Sequence, residues 1–145
     1  MDEAYNVSAN FSDMDLDVIH GFIAGSYWAK GIPVATLQRA LENSLCFGVF
    51  TQAGEQVGFA RMITDKATFA YLADVFVLEA HQAKGLSKLL MAAILEHPEL
   101  QGLRRMMLAT RDAHALYHKF GFTALASPAI YMELHTPNLY DLLMP

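Results

Sequence analysis

Hydrophobic and polar positions divide the chain into a regular succession of elements. A polar lead, Asn6 to Ser12, reads as an edge strand. From Met14 to Ala24, residues Leu16, Ile19, His20 and Ile23 recur on one helical face, and Asp13 stands where an N-cap belongs. A Gly-bounded loop, residues 25–32, leads to Pro33, a good first residue for a second helix reaching Asn43. Leu45 to Thr51, Gln56 to Thr64 and Thr68 to Leu78 are strand-like, with turns at 52–55 and Asp65–Lys66, and predict an antiparallel meander. The period then changes. Residues 86, 89, 90, 93 and 94 are apolar, which is helical spacing, and Pro98 closes a helix from Leu86 to His97. Leu103 to Ala109 is strand-like. Asp112 to Phe120 is a short helix ended by Gly121, and Phe122 to Leu125 and Ile130 to Leu134 read as two last strands. Strand–helix–strand–helix after a meander predicts an α+β fold. Its expected sheet is mixed, mostly antiparallel and twisted, with six to seven strands and helices on both faces.

Composition narrows the class. The 145 residues suit one domain, 1–145. Hydrophobic residues make up 54% and charged ones 17%, which is enough apolar surface to exclude general disorder. The longest purely apolar run, Leu89 to Leu95, is far short of the roughly 20 residues of a membrane span. Met1 to Asp17 carries five acids and no Lys or Arg, the reverse of a secretory or mitochondrial leader. A cytoplasmic location is therefore expected. The formal charge of −5 argues against nucleic-acid and anionic-membrane partners. Cys46, the one cysteine, lies in an apolar stretch and reads as a buried inert thiol.

Candidate chemistry concentrates between Ala73 and Leu90. An apolar strand enters a loop, and the loop opens a helix. Gly85 and Ser87 are small enough for a bulky ligand to approach the backbone. A helix N-terminus offers unpaired N–H groups and the positive end of a dipole. Together these suit a pyrophosphate, with Lys84 and Lys88 adding positive charge. A plain strand–turn–helix joint with a capping glycine is the structural alternative.

The stretch from Val75 to Ser87 resembles the acyl-CoA signature of the GNAT N-acetyltransferase superfamily, Q/R-x-x-G-x-G/A after a hydrophobic strand. Gln82 and Gly85 match, and Ser87 departs from Gly or Ala but stays small. Further on, Ala113, Leu116, Tyr117, Gly121 and Phe122 resemble the second signature, A-x-x-L-Y-x-x-x-G-F, with Thr110 where the family often has Asn. The resemblance covers nearly the whole chain. It implies transfer of an acetyl group from acetyl-CoA to a primary amine of a small molecule or peptide, by direct attack and without a metal. It also implies splayed central strands. The pantetheine arm would lie beside Val75, with the backbone of Phe76 and Val77 as its partners. The diphosphate would lie on Gln82, Ala83, Lys84, Gly85, Leu86, Ser87 and Lys88. An acyl-CoA-binding module without catalysis is the alternative.

By the same resemblance Tyr117 is the general acid for the departing thiolate; otherwise it is a core tyrosine. Asp74 is the one charge between Ala67 and Leu78. It is either a base for the ammonium substrate or one half of a salt bridge to Arg61 or Arg111. By the same resemblance Tyr27 and Trp28 line the acceptor pocket; the alternative is a lid anchored in the core. Asp13, Asp15 and Asp17 near them hint at a cationic or aromatic amine. His114 and His118 share a helix face, but no third ligand completes a zinc site. Terminal strands left exposed could pair two copies into a homodimer.

Overall fold

The computed structural model describes residues 4–143. Five strands form one sheet in the order β1-β2-β3-β4-β5: β1 Tyr5–Ser8, β2 Leu45–Thr51, β3 Gln56–Thr64, β4 Phe69–Val77 and β5 Arg105–Leu108. The first four pair antiparallel, and β5 pairs parallel with β4. The parallel connection runs through helix α3, Leu86–Glu96, as a crossover requires. Helices α1, Leu16–Ile23, and α2, Val34–Glu42, precede the meander. A short α4, His114–His118, follows β5, and α5, Leu139–Leu143, lies near the C-terminus.

Alternation along the strands splits the apolar residues between two faces. Phe47 and Val49 of β2 meet Leu86, Leu90, Met91 and Ile94 of α3 in one core. Cys46 of β2, Phe59 of β3 and Phe76 of β4 face the other way, against Ile19 and Ile23 of α1 and Leu37 and Leu41 of α2. Each large side chain so buried stabilises the fold by about 1.5–3 kcal/mol relative to exposure. Buried Gln56 joins the layers, accepting from the Asp15 N–H at 2.7 Å and donating to the Gly58 carbonyl at 3.1 Å. Among the described residues no helix is long and apolar enough to cross a membrane.

Several expectations need correction. The cap of α1 is Asp15, which accepts from the Val18 N–H at 3.2 Å. Asp13 instead closes a 3-10 turn over Phe11–Asp13 and accepts from the Ser8 hydroxyl at 2.6 Å. The polar lead forms only the four-residue β1, because Asn10 caps that same turn and stops the strand. Among the described residues the sheet has five strands, and the expected six to seven are not confirmed. Neither Phe122–Leu125 nor Ile130–Leu134 pairs with anything. Phe122 donates to the Tyr117 carbonyl at the end of α4, and Pro128–Ile130 coils into a 3-10 turn.

Candidate active site

The central irregularity lies in β4. Phe59 pairs with Phe76, but Arg61 pairs with Ala73, so Asp74 and Val75 together oppose Ala60. This is a β-bulge, with Asp74 in the left-handed region at φ 57°. Asp and Asn tolerate that conformation better than most side chains because their short polar groups bond locally. On the other edge of β4, parallel pairing with β5 ends at Leu72 opposite Leu108. Residues 73–77 therefore splay away from β5 with one side of their main chain open.

Strand alternation assigns that open side. Leu78 donates to the Val57 carbonyl at 2.8 Å, and the Phe76 carbonyl lies 3.4 Å from a Cβ built on Gly58. The main chain of Phe76 therefore faces β3, and that of Val75 and Val77 faces the gap. The Val77 carbonyl there accepts from Gln82 Nε2 at 3.0 Å. Phe76 contributes its ring instead, stacked on Phe22 of α1 with centroids 4.3 Å apart. The main-chain groups open to the gap are thus those of Val75 and Val77, whereas those of Phe76 are turned to β3.

At the mouth of the gap the chain turns into α3 through Ala83, φ 61°, and Gly85, φ 77°. Gly85 is the N-cap residue, and no side chain caps the helix. The first amides of α3 thus have no side-chain acceptor, and the space where a Gly85 Cβ would stand is open. A cleft of about 1010 Å³ runs from this turn along the splayed strand. Gln82, Ala83, Gly85, Leu86, Ser87 and Lys88 line it, as do Val75, Phe76, Val77 and Thr110. Lys84 does not line it; its ammonium lies 5.9 Å from the Tyr5 ring centroid. Thr110 also organises α4, its Oγ1 accepting from the Ala113 N–H at 3.1 Å.

Tyr117 enters the same cleft from α4. Its ring is buried, edge-on to Phe122 at 6.0 Å. Its hydroxyl makes no hydrogen bond to the protein, yet no buried side-chain polar atom among the described residues lacks a partner. The hydroxyl therefore keeps some solvent exposure, on a side chain that lines the cleft. Burial of the side chain pushes the phenol above its ordinary value, which keeps the proton on at neutral pH. Gly121, φ 96°, ends the helix just beyond, as its sequence position indicates.

Asp74 occupies the opposite wall with its side chain only 6% exposed. Oδ2 accepts from Arg61 Nε at 2.8 Å and Oδ1 accepts from Trp28 Nε1 at 2.7 Å. The salt bridge is thus to Arg61, whose Nη1 also reaches the Ser44 hydroxyl at 3.2 Å. Arg111 also lines the cleft but pairs with a ring instead, its guanidinium 3.8 Å from the Tyr27 ring centroid. Tyr27 and Trp28 both line the cleft, whereas the carboxylates of Asp13, Asp15 and Asp17 do not. The hint of a cationic acceptor drawn from those three acids has no structural basis. Phe22, Ile63 and Tyr71 also line this end. Sequence reasoning passed over them; Phe22 was legible as the position three after Ile19 on the same helix.

Residues 16–122 match the acetyltransferase (GNAT) family. The chain belongs to that family. The fold of this GNAT acetyltransferase agrees with a crystal structure from Xanthomonas campestris, described as a GNAT-family acetyltransferase. The two share 52% identity and a TM-score of 0.92, over 95% of this chain and 97% of that one. A Gibberella zeae protein, provisionally named an acetyltransferase, is 34% identical over 137 residues, 79% of this chain and 76% of its own. Glucosamine-6-phosphate N-acetyltransferase from Arabidopsis thaliana shares the fold alone, at 14% identity and a TM-score of 0.66, over 92% and 99% of the two chains. The GNAT family uses acetyl-CoA as co-substrate, and this chain is an N-acetyltransferase enzyme.

The thiol of Cys46 plays no part in the cleft. It is buried, donates to the Leu41 carbonyl at 3.5 Å, and is pushed up to about 11, chiefly by burial. Only the thiolate alkylates readily. Iodoacetamide at pH 8 should therefore leave the folded protein unmodified by intact mass and label it once in denaturant. Rapid labelling of the folded protein would contradict the buried placement.

Proposed function

We propose that this enzyme transfers the acetyl group of acetyl-CoA to a primary amine of a small molecule or peptide by direct attack. The observation that carries the proposal is the open side of β4 at Val75 and Val77, which shares one cleft with the uncapped start of α3 and with Tyr117. When bound, acetyl-CoA supplies an acetyl group activated as a thioester. The amides from Leu86 to Lys88 and the backbone at Gly85 hold its diphosphate. Val77 pairs with the pantetheine arm as a neighbouring strand would. The Val75 N–H donates to the thioester carbonyl oxygen, where negative charge grows during attack. Tyr27, Trp28 and Phe22 hold the acceptor, whose nitrogen sheds its proton to water at the cleft mouth. The new N–C bond forms as the C–S bond breaks, Tyr117 gives its phenolic proton to sulfur, and the second proton of the nitrogen returns to the phenolate through water.

Within this scheme Asp74 is a positioning residue rather than the base, because both its oxygens already hold donors. Asp74→Asn keeps the left-handed backbone and an acceptor for Trp28 while removing the charge facing Arg61. The acceptor KM should rise about tenfold, the worth of one charge-assisted hydrogen bond. The shape of the kcat–pH profile should not change. A collapse of kcat together with loss of the acidic limb would restore the base role to Asp74.

The deciding experiment is thiol release from acetyl-CoA across a panel of amines and amino acids, run beside thermal stabilisation by coenzyme A. Stabilisation with amine-dependent thiol release is expected. Stabilisation with no release from any amine would leave an acyl-CoA-binding module. Absence of both would remove the ligand altogether.

A further inference from the structure

The charges at the acceptor end of the cleft are not all matched. Asp74, the buried carboxylate there, already holds Arg61 and Trp28 and is closed to a ligand. Around it stand Phe22, Tyr27, Trp28, Ile63 and Tyr71, an aromatic and aliphatic lining. Arg111 lines the cleft beside them, its guanidinium 3.8 Å from the Tyr27 ring centroid. Among the described residues no carboxylate holds it: the ion pairs are Arg61–Asp74 and Lys66–Glu99. Asp112, the next residue, lines the cleft as well and does not pair with it.

A guanidinium laid over a ring engages it with its flat face. Its N–H donors point outward in the plane and match the two oxygens of a carboxylate. Tyr27 belongs to the loop between α1 and α2, and Arg111 to the link between β5 and α4. Their contact holds the guanidinium beside the aromatic lining, on the link that leads into the helix of Tyr117. The sign of the charge also bears on the reaction. An acceptor must shed a proton from its ammonium before it attacks. A cation nearby favours the neutral amine, whereas a carboxylate on the acceptor itself opposes it. Pairing such a carboxylate with Arg111 removes that opposition.

We propose that Arg111 determines acceptor specificity, and that the acceptor is an amine bearing a carboxylate on an apolar or aromatic body, as an apolar amino acid does. The proposal rests on the acetyl-transfer reading above. The carboxylate takes the guanidinium of Arg111. The body lies among Phe22, Trp28 and Tyr71, and the amine faces the thioester. One guanidinium in an apolar lining balances one negative charge. A phosphate, with nearly two, would leave charge uncompensated there.

Thiol release from acetyl-CoA tests the proposal with phenylalanine, phenylalaninamide, phenethylamine and O-phosphoethanolamine as acceptors. Wild-type kcat/KM should be about thirtyfold higher for phenylalanine than for phenylalaninamide, in the range of one hydrogen bond between charged groups. The amide lacks the carboxylate that holds a proton on the amine, so basicity alone predicts the reverse order. Arg111→Met should lose that factor for phenylalanine while phenethylamine stays within about twofold. Equal rates for phenylalanine and its amide would overturn the proposal. So would faster transfer to O-phosphoethanolamine, or a variant that slows every amine alike; acetyl transfer itself would stand in all three cases. Should the variant not fold, the wild-type order of acceptors decides. A second readout needs no turnover. Trp28 is the one tryptophan of the chain. With coenzyme A saturating, its emission should respond to phenylalanine at a lower concentration than to phenylalaninamide. That preference without thiol release from any amine would uphold the Arg111 site and overturn catalysis. Absence of both would overturn the two together.

Discussion

Gly85→Val should abolish detectable binding of coenzyme A by calorimetry and lower kcat/KM for acetyl-CoA by at least about a hundredfold. The substitution acts twice. At φ 77° a β-branched residue is strained, so the turn that aims the α3 amides would relax toward an ordinary conformation. The branched side chain would also fill space that no protein atom occupies and that the diphosphate needs. Because a Cβ here meets nothing within 4 Å, the fold itself has little to lose beyond the strain. That cost is on the order of 1–2 kcal/mol, well below the stability of an ordinary domain. The thermal midpoint without ligand should fall by only a few degrees, while the rise on adding coenzyme A disappears. A variant that still warms by the wild-type increment with coenzyme A would show that the helix start does not hold the ligand.

The sequence exposed most of this cleft because its parts are close in the chain. Val75 through Lys88 is one continuous stretch, and its glycine, small residue and apolar strand are each readable from local chemistry. Tyr117 followed from a second local pattern. What lay hidden was set by contacts between distant residues. Asp74 meets Trp28 across 46 positions and Arg61 across 13. Periodicity identifies a lone charge in an apolar strand but not the partner that satisfies it. Splayed strands likewise were expected, but the register of the bulge fixes which amides face the gap. That required the Leu78–Val57 bond, which turns the main chain of Phe76 to β3 and that of Val75 to the gap.

The ends of the chain were misread for a related reason. Asp13 and Asp15 are equally good caps by residue type. The choice falls to Asp15 because its N–H is held by buried Gln56, 41 positions away. Ile130 to Leu134 has the pattern of a strand, but a strand exists only where an edge receives it. Among the described residues no strand edge receives it.

Tyr117→Phe should lower kcat by about a hundredfold, the lower range for a lost general acid, with the KM for acetyl-CoA changed less than twofold. The phenol ring stays, so its edge contact with Phe122 and its burial are retained. Only the hydroxyl goes, and it has no protein partner to leave unsatisfied. The melting temperature should therefore hold or rise slightly. The pH dependence separates proton donation from packing. Burial raises the phenol, so its acid form persists through pH 10, the ordinary midpoint of a tyrosine. Wild-type kcat should show no alkaline fall from this group below that pH and should fall above it, where the proton is lost. The variant should lack that fall. A thiolate is already a fair leaving group, so the defect should be smallest with an acyl donor whose thiol is more acidic than coenzyme A. If Tyr117→Phe instead lost the same factor with every donor thiol, the hydroxyl would be orienting the complex rather than protonating sulfur.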